Sequence, residues 1–213
     1  MFSKKIIVLS SHVMPAILML VLLVSCAQRG DDFFDAERFE AAADLYIHAA
    51  EQGDVDKMLR LAGMYAAGKI AYHRDYEQAV YWYQKAAAAA AVEAMFELGF
   101  IFEFGAGDVK QDYQRAVHWY QQAADHGHSY GQYRLATVLA RQLNDYAGAD
   151  AVVAYRWFLI GADSAKNCSA EPMCQIVIDD LFNYQWQLQT HLSEQQQMLA
   201  RQQVSLWLAP EQK

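Results

Sequence analysis

The sequence predicts an all-α fold: an α/α superhelical solenoid of antiparallel helix pairs, closed by a C-terminal helical cap. One pattern of alanine and aromatic residues recurs about every 37 residues, with Trp82, Trp119 and Trp157 at equivalent places. A fixed period in the thirties is typical of stacked helical repeats. Proline occurs only three times in 213 residues and alanine is abundant, which favours helix.

The amino-terminal segment has the order of an export signal. Lys4 and Lys5 precede an apolar run from Ala16 to Val24, and small residues follow, ending in Cys26. An uncleaved membrane anchor is the alternative, because the 19 residues from Ile6 to Val24 are enough to span a bilayer.

The four residues from Leu23 to Cys26 resemble the bacterial lipobox. The resemblance implies cleavage before Cys26, a diacylglyceryl group on its sulfur and a third acyl chain on its new amine. Residues 1–25 are then a lipoprotein signal peptide, and residues 26–33 are a lipidated tether. Ala27, by resemblance to known lipoproteins, implies the outer membrane, with the protein facing the periplasm.

The repeat array is predicted over residues 34–165, with units near 34–53, 55–90, 91–127 and 129–165. Asp75 and Asp112 are placed to cap the second helices of two units, and Asp150 restarts the pattern in the last. Gly53 and Gly127 are placed where helices end. One helix is expected after Asp75, and the others are expected at Asp35–Gln52, Val55–Ala67, Glu93–Phe104, Tyr113–Asp125, Ser129–Arg141 and Asp150–Ala165.

The alanine run from Ala86 to Ala91 is ambiguous, because alone it reads as continuous helix. The repeat predicts a break, since Ala90 occupies the place that Gly53 and Gly127 hold in other units. An alanine in the left-handed conformation costs about 1 kcal/mol. We nevertheless expect the chain to reverse at Ala90, because continuous helix would unstack every later unit.

Small and large residues alternate in a way that indicates close helix packing. Alanines that let two helices approach are expected at Ala79, Ala116 and Ala154. Trp82, Trp119 and Trp157 are expected to fill the space between neighbouring units. The alternative is that these indole rings are ligand platforms, but recurrence at a fixed period favours a structural role.

The central unit resembles a known family. Residues 94–107 have the pattern A-x3-L-G-x2-F-x2-G-x-G, followed by Asp112, Ala116 and the pair Trp119-Tyr120. This pattern resembles the Sel-one-like repeat (SLR), a subfamily of the tetratricopeptide-type (TPR-like) helical solenoids, over residues 34–165. The resemblance implies a superhelix that binds or scaffolds other proteins, often in bacterial envelopes.

Residues 166–213 are expected to form the C-terminal cap. Pro172 fits the first turn of a helix, and Met173 to Leu192 carry an apolar stripe at spacings of three and four. Ser193 is placed to cap a last helix with a glutamine-rich outer face, and this stretch is similar to the amphipathic helix that closes bacterial SLR chains. A dimer interface is the alternative, but we expect a monomer. The inner face of the last helix is expected to hold Ala200, Val204, Trp207 and Leu208.

Two cysteines lie close together in the tail. Cys168 and Cys174 are expected to form a disulfide in an exported protein, and two free thiols are the alternative. Cysteine-rich members of the SLR family carry a disulfide in each repeat, and some have been linked to β-lactam binding or hydrolysis. The recognisable repeats of this chain contain no cysteine.

Several function classes are disfavoured. The net charge of −8 gives no attraction to a phosphate backbone, so we expect no nucleic-acid partner. His126 and His128 flank a helix turn, and two nitrogens are fewer than zinc normally needs, so we expect no metal. Hydrolase and phosphate-binding motifs are absent, so we expect no catalytic residue and no cofactor.

The predicted binding face lies on the first helix of the central unit. In helical-pair solenoids this helix usually lines the concave side, and Phe96, Phe100 and Phe104 form a stripe beside its structural face. Aromatic residues and arginine in a groove are typical of peptide recognition. Burial of the stripe by neighbouring helices is the alternative. The candidate partner-binding residues are Glu93, Phe96, Phe100, Glu103, Phe104, Tyr130, Tyr133 and Arg141.

Together these observations predict a lipid-anchored, periplasm-facing adaptor that binds a protein or peptide partner. One alternative is an envelope enzyme such as a β-lactam or cell-wall hydrolase. Another is a scaffold for polysaccharide export.

Overall fold

The computed structural model describes residues 38–70, 73–141, 149–165, 185–186 and 188–209. Within these residues the fold is all-α, as predicted, and the single β-bridge joins Ala106 and Val109 in a loop. The described residues form eight helices with assigned bounds: α1 Phe39–Glu51, α2 Val55–Ala67, α3 Tyr76–Ala88, α4 Val92–Phe104, α5 Tyr113–Asp125, α6 Ser129–Arg141, α7 Ala149–Ala165 and α8 Glu194–Leu208.

The helix ends follow the predicted signals closely. Asp75 accepts a hydrogen bond from the Gln78 backbone at 2.9 Å, and Asp112 accepts one from the Arg115 backbone at 3.0 Å. Both aspartates therefore cap their helices, because each oxygen satisfies an amide that the helix leaves unpaired. Helix α4 begins one residue before its predicted start, and α7 begins at Ala149.

The described residues fall into two compact units, and the first ends at Ala89 while the second begins at Ala90. The first unit contains α1, α2 and α3, and each helix packs on the next. Its interior is made of alanines and aromatic rings: Ala42, Tyr46, Ala50, Leu61, Ala62, Ala79, Trp82, Tyr83 and Ala86.

The second unit contains α4 to α8, and again each helix packs on its neighbour in sequence. Glycines bring the backbones together. A β-carbon built on Gly99 would lie 2.5 Å from the Tyr120 ring, and one on Gly131 would lie 2.9 Å from the Ala123 β-carbon. The helix pairs can therefore approach only because these positions carry no side chain.

The predicted role of the tryptophans is only partly correct. Trp82 and Trp157 are buried, but Trp119 is only half-buried and its ring lies edge-on to His118. Tyr120 is the fully buried aromatic residue of this pair. Gly99 leaves space for the Tyr120 ring, so Trp119 is turned towards the surface.

Ala90 has the left-handed conformation that the repeat predicts, with φ of 63°. Gly53 and Gly127 have φ of 97° and 81° at the corresponding places. The comparison confirms the break in the alanine run, because no helix continues through a residue in this conformation.

Replacing Ala90 with glycine is expected to stabilise the protein by about 0.5 kcal/mol. Relief of the left-handed strain should outweigh the extra freedom that glycine gives the unfolded chain. Ala89→Gly is the matched control, because Ala89 is equally exposed but has φ of −92° and should lose stability. Thermal melts of the two variants test this, and a melting temperature that falls in both would contradict the strain argument.

The last helix is capped as predicted. The Ser193 side chain accepts from the Gln196 backbone, and the Gln196 side chain accepts from the Ser193 backbone. Helix α8 packs on α7 through buried Ala200 and through the Trp157 and Trp207 rings, whose centroids are 6.1 Å apart. Contrary to expectation, Trp207 and Leu208 are more than 40% exposed, since the end of α8 is only partly covered.

Several expectations concern residues outside the described part of the chain. They are the signal peptide 1–25, the tether 26–33 with Cys26, the Cys168–Cys174 pair and the Pro172 helix start. Among the described helices, none combines the length and the apolar character needed to cross a membrane.

Candidate functional site

Glu103 is a buried carboxylate that joins three helices. It lies in the last turn of α4 and is 1% exposed. Oε2 accepts a hydrogen bond from Tyr120 Oη on α5 at 2.9 Å and from Arg134 Nε on α6 at 3.0 Å. Oε1 lies 3.3 Å from Arg141 Nη1, also on α6. The prediction that Glu103 offers charge to a partner is therefore wrong, because its oxygens are engaged inside the protein.

The cluster keeps Tyr120 and Arg134 protonated. Burial and the charge of Glu103 raise the pKa of Tyr120, so its hydroxyl keeps the proton that it donates. Burial lowers the pKa of Arg134, but the bonds to Glu103 and Tyr120 outweigh this effect and raise it. Arg134 and Tyr120 are thus held as donors towards one carboxylate.

The loop between α4 and α5 holds the end of α4 in place. Gln111 Nε2 donates to the Glu103 backbone carbonyl at 2.7 Å, and the Asp112 amide donates to the Phe102 carbonyl at 2.8 Å. Gly105 permits the tight turn, since φ is 68° and an added β-carbon would lie 2.9 Å from the Gln111 nitrogen. The last turn of α4 is therefore well anchored, and so are the residues it presents.

Two phenylalanines on this anchored turn face outwards. Phe100 is 46% exposed and Phe104 is 50% exposed, with ring centroids 4.8 Å apart. The Arg134 guanidinium lies 5.1 Å from the Phe104 ring centroid. The other side of α4 supplies the interior through Ala94, Leu98, Ile101 and Phe102. The helix therefore has two apolar stripes, of which only one is buried.

The first turns of α4 meet the start of α6 through aromatic rings. Phe96 is half-buried and stacks on His128, with centroids 4.8 Å apart, and Tyr130 lies 6.3 Å from Phe96. His128 Nδ1 accepts from the Gly131 amide at 3.0 Å, so the ring caps α6. Its Nε2 lies 3.4 Å from Glu93 Oε2, so the ring also bridges α4 and α6.

The predicted site residues thus separate into two groups. Tyr133, at 8% exposure, and Glu103 are interior residues. Phe96 and Tyr130 are half-buried, and the most accessible members are Glu93, Phe100, Phe104 and Arg141. We call the surface formed by these four accessible residues, together with Glu97 and Arg134, the α4–α6 face.

Three residues of this region were missed by the sequence analysis. Glu97 is one turn from Glu93 and one turn before Phe100, so helical spacing could have found it. Arg134 lies seven residues before Arg141, on the same side of α6. His128 was considered only as a metal ligand, and nothing in the sequence shows that its ring would cap a helix.

The surroundings of Glu97 disfavour the charged form of its carboxyl group. Burial and the charge of Glu93 raise its pKa above the ordinary value of 4.5. The folded protein therefore binds this proton more tightly than the unfolded chain does. The stability that this adds is fully present below pH 4.5 and is lost as the pH rises through the raised pKa.

Glu97→Gln is accordingly expected to raise the free energy of unfolding at pH 7. The gain should shrink as the pH falls towards 4.5, because the wild-type carboxyl then becomes neutral as well. Urea denaturation of both proteins across this pH range measures the difference. Glu93→Gln is the control. It removes the charge that helps to raise the pKa of Glu97, so the gain from Glu97→Gln should depend less on pH in a Glu93→Gln background. A gain that stays constant with pH would contradict this explanation.

The described residues offer a candidate binding surface rather than a cluster of metal ligands. In the part of the chain that the structure describes, no three histidine, cysteine, aspartate or glutamate side chains converge as a metal site. His126 follows the end of α5, and its ring nitrogen Nδ1 lies 2.8 Å from the Gln122 carbonyl in that helix. The α4–α6 face offers exposed rings and charges of both signs on a rigid support, which is the composition of a protein-recognition surface.

The chain matches the Sel1 repeat family over residues 58–90, 92–128 and 129–165. No curated protein matches it. Among solved structures, a protective antigen of uropathogenic Escherichia coli with an SLR fold aligns with a TM-score of 0.61 and 20% identity. A Sel1 repeat protein from Oxalobacter formigenes aligns with a TM-score of 0.57 and 23% identity.

These alignments cover 86% and 74% of this chain. They cover only 38% of the E. coli protein and 61% of the O. formigenes protein, so the chain spans part of each relative's length. At these identities the two structures show a shared fold, the paired-helix solenoid architecture of SLR proteins.

Proposed function

Because the chain belongs to the Sel1 repeat family, we propose that it is a lipid-anchored, periplasm-facing scaffold that binds a protein partner on the α4–α6 face. Sel1 repeat proteins generally act as protein-interaction scaffolds. The proposal adds to this general role a surface, an anchor and a location.

The exposure of Phe100 and Phe104 is the observation that carries the proposal. Two adjacent phenylalanine rings, each about half in water, forgo much of the free energy that their burial would contribute. They lie on a turn that the Glu103 cluster and the α4–α5 loop hold rigid. A rigid exposed aromatic pair loses little conformational entropy when a partner covers it, so it favours binding.

Crosslinking in intact cells tests the partner. A tagged full-length chain is crosslinked and purified from membranes in detergent. We expect one protein to be recovered reproducibly. In a parallel experiment on a cell extract, excess untagged wild-type chain added before the crosslinker should prevent formation of this adduct. A chain that crosslinks to nothing, or that turns over nitrocefin or peptidoglycan through a single side chain, would contradict the scaffold proposal.

The lipid anchor is proposed from the sequence at Cys26. Cys26→Ser is expected to abolish incorporation of radiolabelled palmitate and to move the protein out of the outer-membrane fraction, because three acyl chains hold a protein firmly in a bilayer. Cys168→Ser is the control, since Cys168 follows the repeat array in the sequence and is not part of the lipobox-like segment. A wild-type protein that takes up no palmitate label and keeps its amino-terminal segment would instead support an uncleaved anchor.

A further inference from the structure

The α4–α6 face has opposite charges at its two ends, and the partner's chemistry follows from this if the proposed function holds. We propose that the face selects a peptide segment by its polarity. An apolar side chain of the segment covers Phe100 and Phe104, a basic side chain faces Glu93 and Glu97, and a carboxylate faces Arg141.

The acidic end lies at the start of α4. The Glu93 side chain is 62% exposed and has the His128 ring 3.4 Å away. Glu97 follows four residues later on the same side of the helix, so the two carboxylates repel each other. The raised pKa of Glu97, caused by burial and then by Glu93, reports this repulsion. A cationic side chain placed between them would relieve it.

The basic end lies at the end of α4, where Glu103 meets two guanidinium groups. One carboxylate shared between Arg134 and Arg141 leaves one unit of positive charge. Arg134 is mostly buried and lies against Phe104, whereas the Arg141 side chain is 50% exposed and touches Glu103 through one nitrogen. The excess charge is therefore accessible at Arg141, whose remaining donors suit a carboxylate.

The distances suit a short extended segment. From Glu97 to Glu103, whose carboxylate Arg141 contacts, a helix rises roughly 9 Å, which is the length of about three residues of extended chain. Along α4, Phe100 lies between Glu97 and Glu103, and Phe104 lies one residue beyond Glu103. A segment of this length with a basic residue, then an apolar one, then an acidic one could contact the acidic end, the exposed rings and Arg141 at the same time.

Charge complementarity also limits which partners can bind. The whole chain carries a net charge of −8, so a generally acidic partner is repelled over most of the surface. A carboxylate of the partner is attracted only near the Arg134–Arg141 cluster. The arrangement would bind a segment in one direction and disfavour the same residues in reverse order, because reversal places like charges together at both ends.

A peptide-library selection tests the proposal. Random seven-residue peptides are selected on the full-length lipoprotein in detergent, and binders of the Phe100→Ala, Phe104→Ala double variant are removed. We expect the enriched peptides to carry lysine or arginine and aspartate or glutamate on opposite sides of an apolar residue, in one fixed order. The affinities of two synthetic peptides, one with the enriched sequence and one with the reverse order, are then compared. The enriched order should bind at least tenfold more tightly.

Charge reversal provides the matched comparison. Arg141→Glu is expected to lower the affinity for the enriched peptide at least tenfold. Replacing the acidic residue of the peptide with lysine should restore its binding to this variant. Lys110→Glu, an equal change of charge in the exposed α4–α5 loop, should leave the affinity within twofold. Arg141→Gln gives a milder variant if Arg141→Glu lowers the melting temperature.

Three results would overturn the proposal: no enrichment, enrichment without a charge order, or equal losses in Arg141→Glu and Lys110→Glu. These results are distinct from failure of the scaffold function. If the cellular partner still requires Phe100 and Phe104 but no charge order is found, the scaffold stands without this selectivity. If the partner binds regardless of both rings, the scaffold surface itself is wrong.

Discussion

Replacing Glu103 with alanine is expected to lower the free energy of unfolding by about 3–5 kcal/mol. The change leaves Arg134 and Tyr120 buried without the carboxylate that they both contact. Removal of one partner from a buried ion pair costs this much, because the remaining charge stays out of water without compensation. Urea denaturation followed by circular dichroism measures the loss.

Two controls separate this cause from a general effect of losing a carboxylate. Glu103→Gln should cost less than Glu103→Ala, since an amide oxygen can still accept from Tyr120. Asp125→Ala removes an exposed acid bonded only within its own helix to Gln121, and it should change stability by no more than about 0.5 kcal/mol. If all three variants were equally stable, the buried cluster would not be the junction between α4, α5 and α6.

Replacing both Phe100 and Phe104 with alanine is expected to abolish capture of the partner while the protein remains folded. Loss of two aromatic anchors should cost about 2–4 kcal/mol of binding free energy, a drop in affinity of roughly 30- to 1000-fold. The melting temperature should change little, because both rings are about half in water. Titration of the purified partner against each protein measures the change.

Tyr81→Ala is the matched control for this prediction. Tyr81 is also 46% exposed, but it lies on α3 in the first unit. It should retain wild-type affinity. A double variant that unfolds would show that the two rings belong to the interior, and one that binds normally would move the interaction to another surface.

Local signals were sufficient to predict the helices of the described repeats. Asp75 and Asp112 begin helices because their side chains bond to free backbone amides, and this depends on neighbouring residues alone. The break at Ala90 required the repeat as well, since alanine by itself favours continued helix. Periodicity therefore added information that local propensity could not provide.

The candidate site was harder to predict, because its character depends on contacts between distant residues. Glutamate is usually exposed, and Glu103 is buried only because Arg134 and Arg141 arrive from another helix hairpin. Helix α4 carries two apolar stripes, and hydrophobicity alone cannot decide which one is buried. The absence of a side chain at Gly99 decides it, since the Tyr120 ring packs against that side.

The central claim is that a partner covers the exposed rings of α4. Photocrosslinking from a single position tests this claim most directly. A photoreactive phenylalanine analogue is placed at Phe104 in the full-length protein in its own cells, and at Tyr81 in a second strain. The scaffold proposal predicts an adduct with one protein from position 104 and none from position 81. Adducts from position 81 alone, or no adduct from position 104 in a folded, membrane-bound protein, would contradict it.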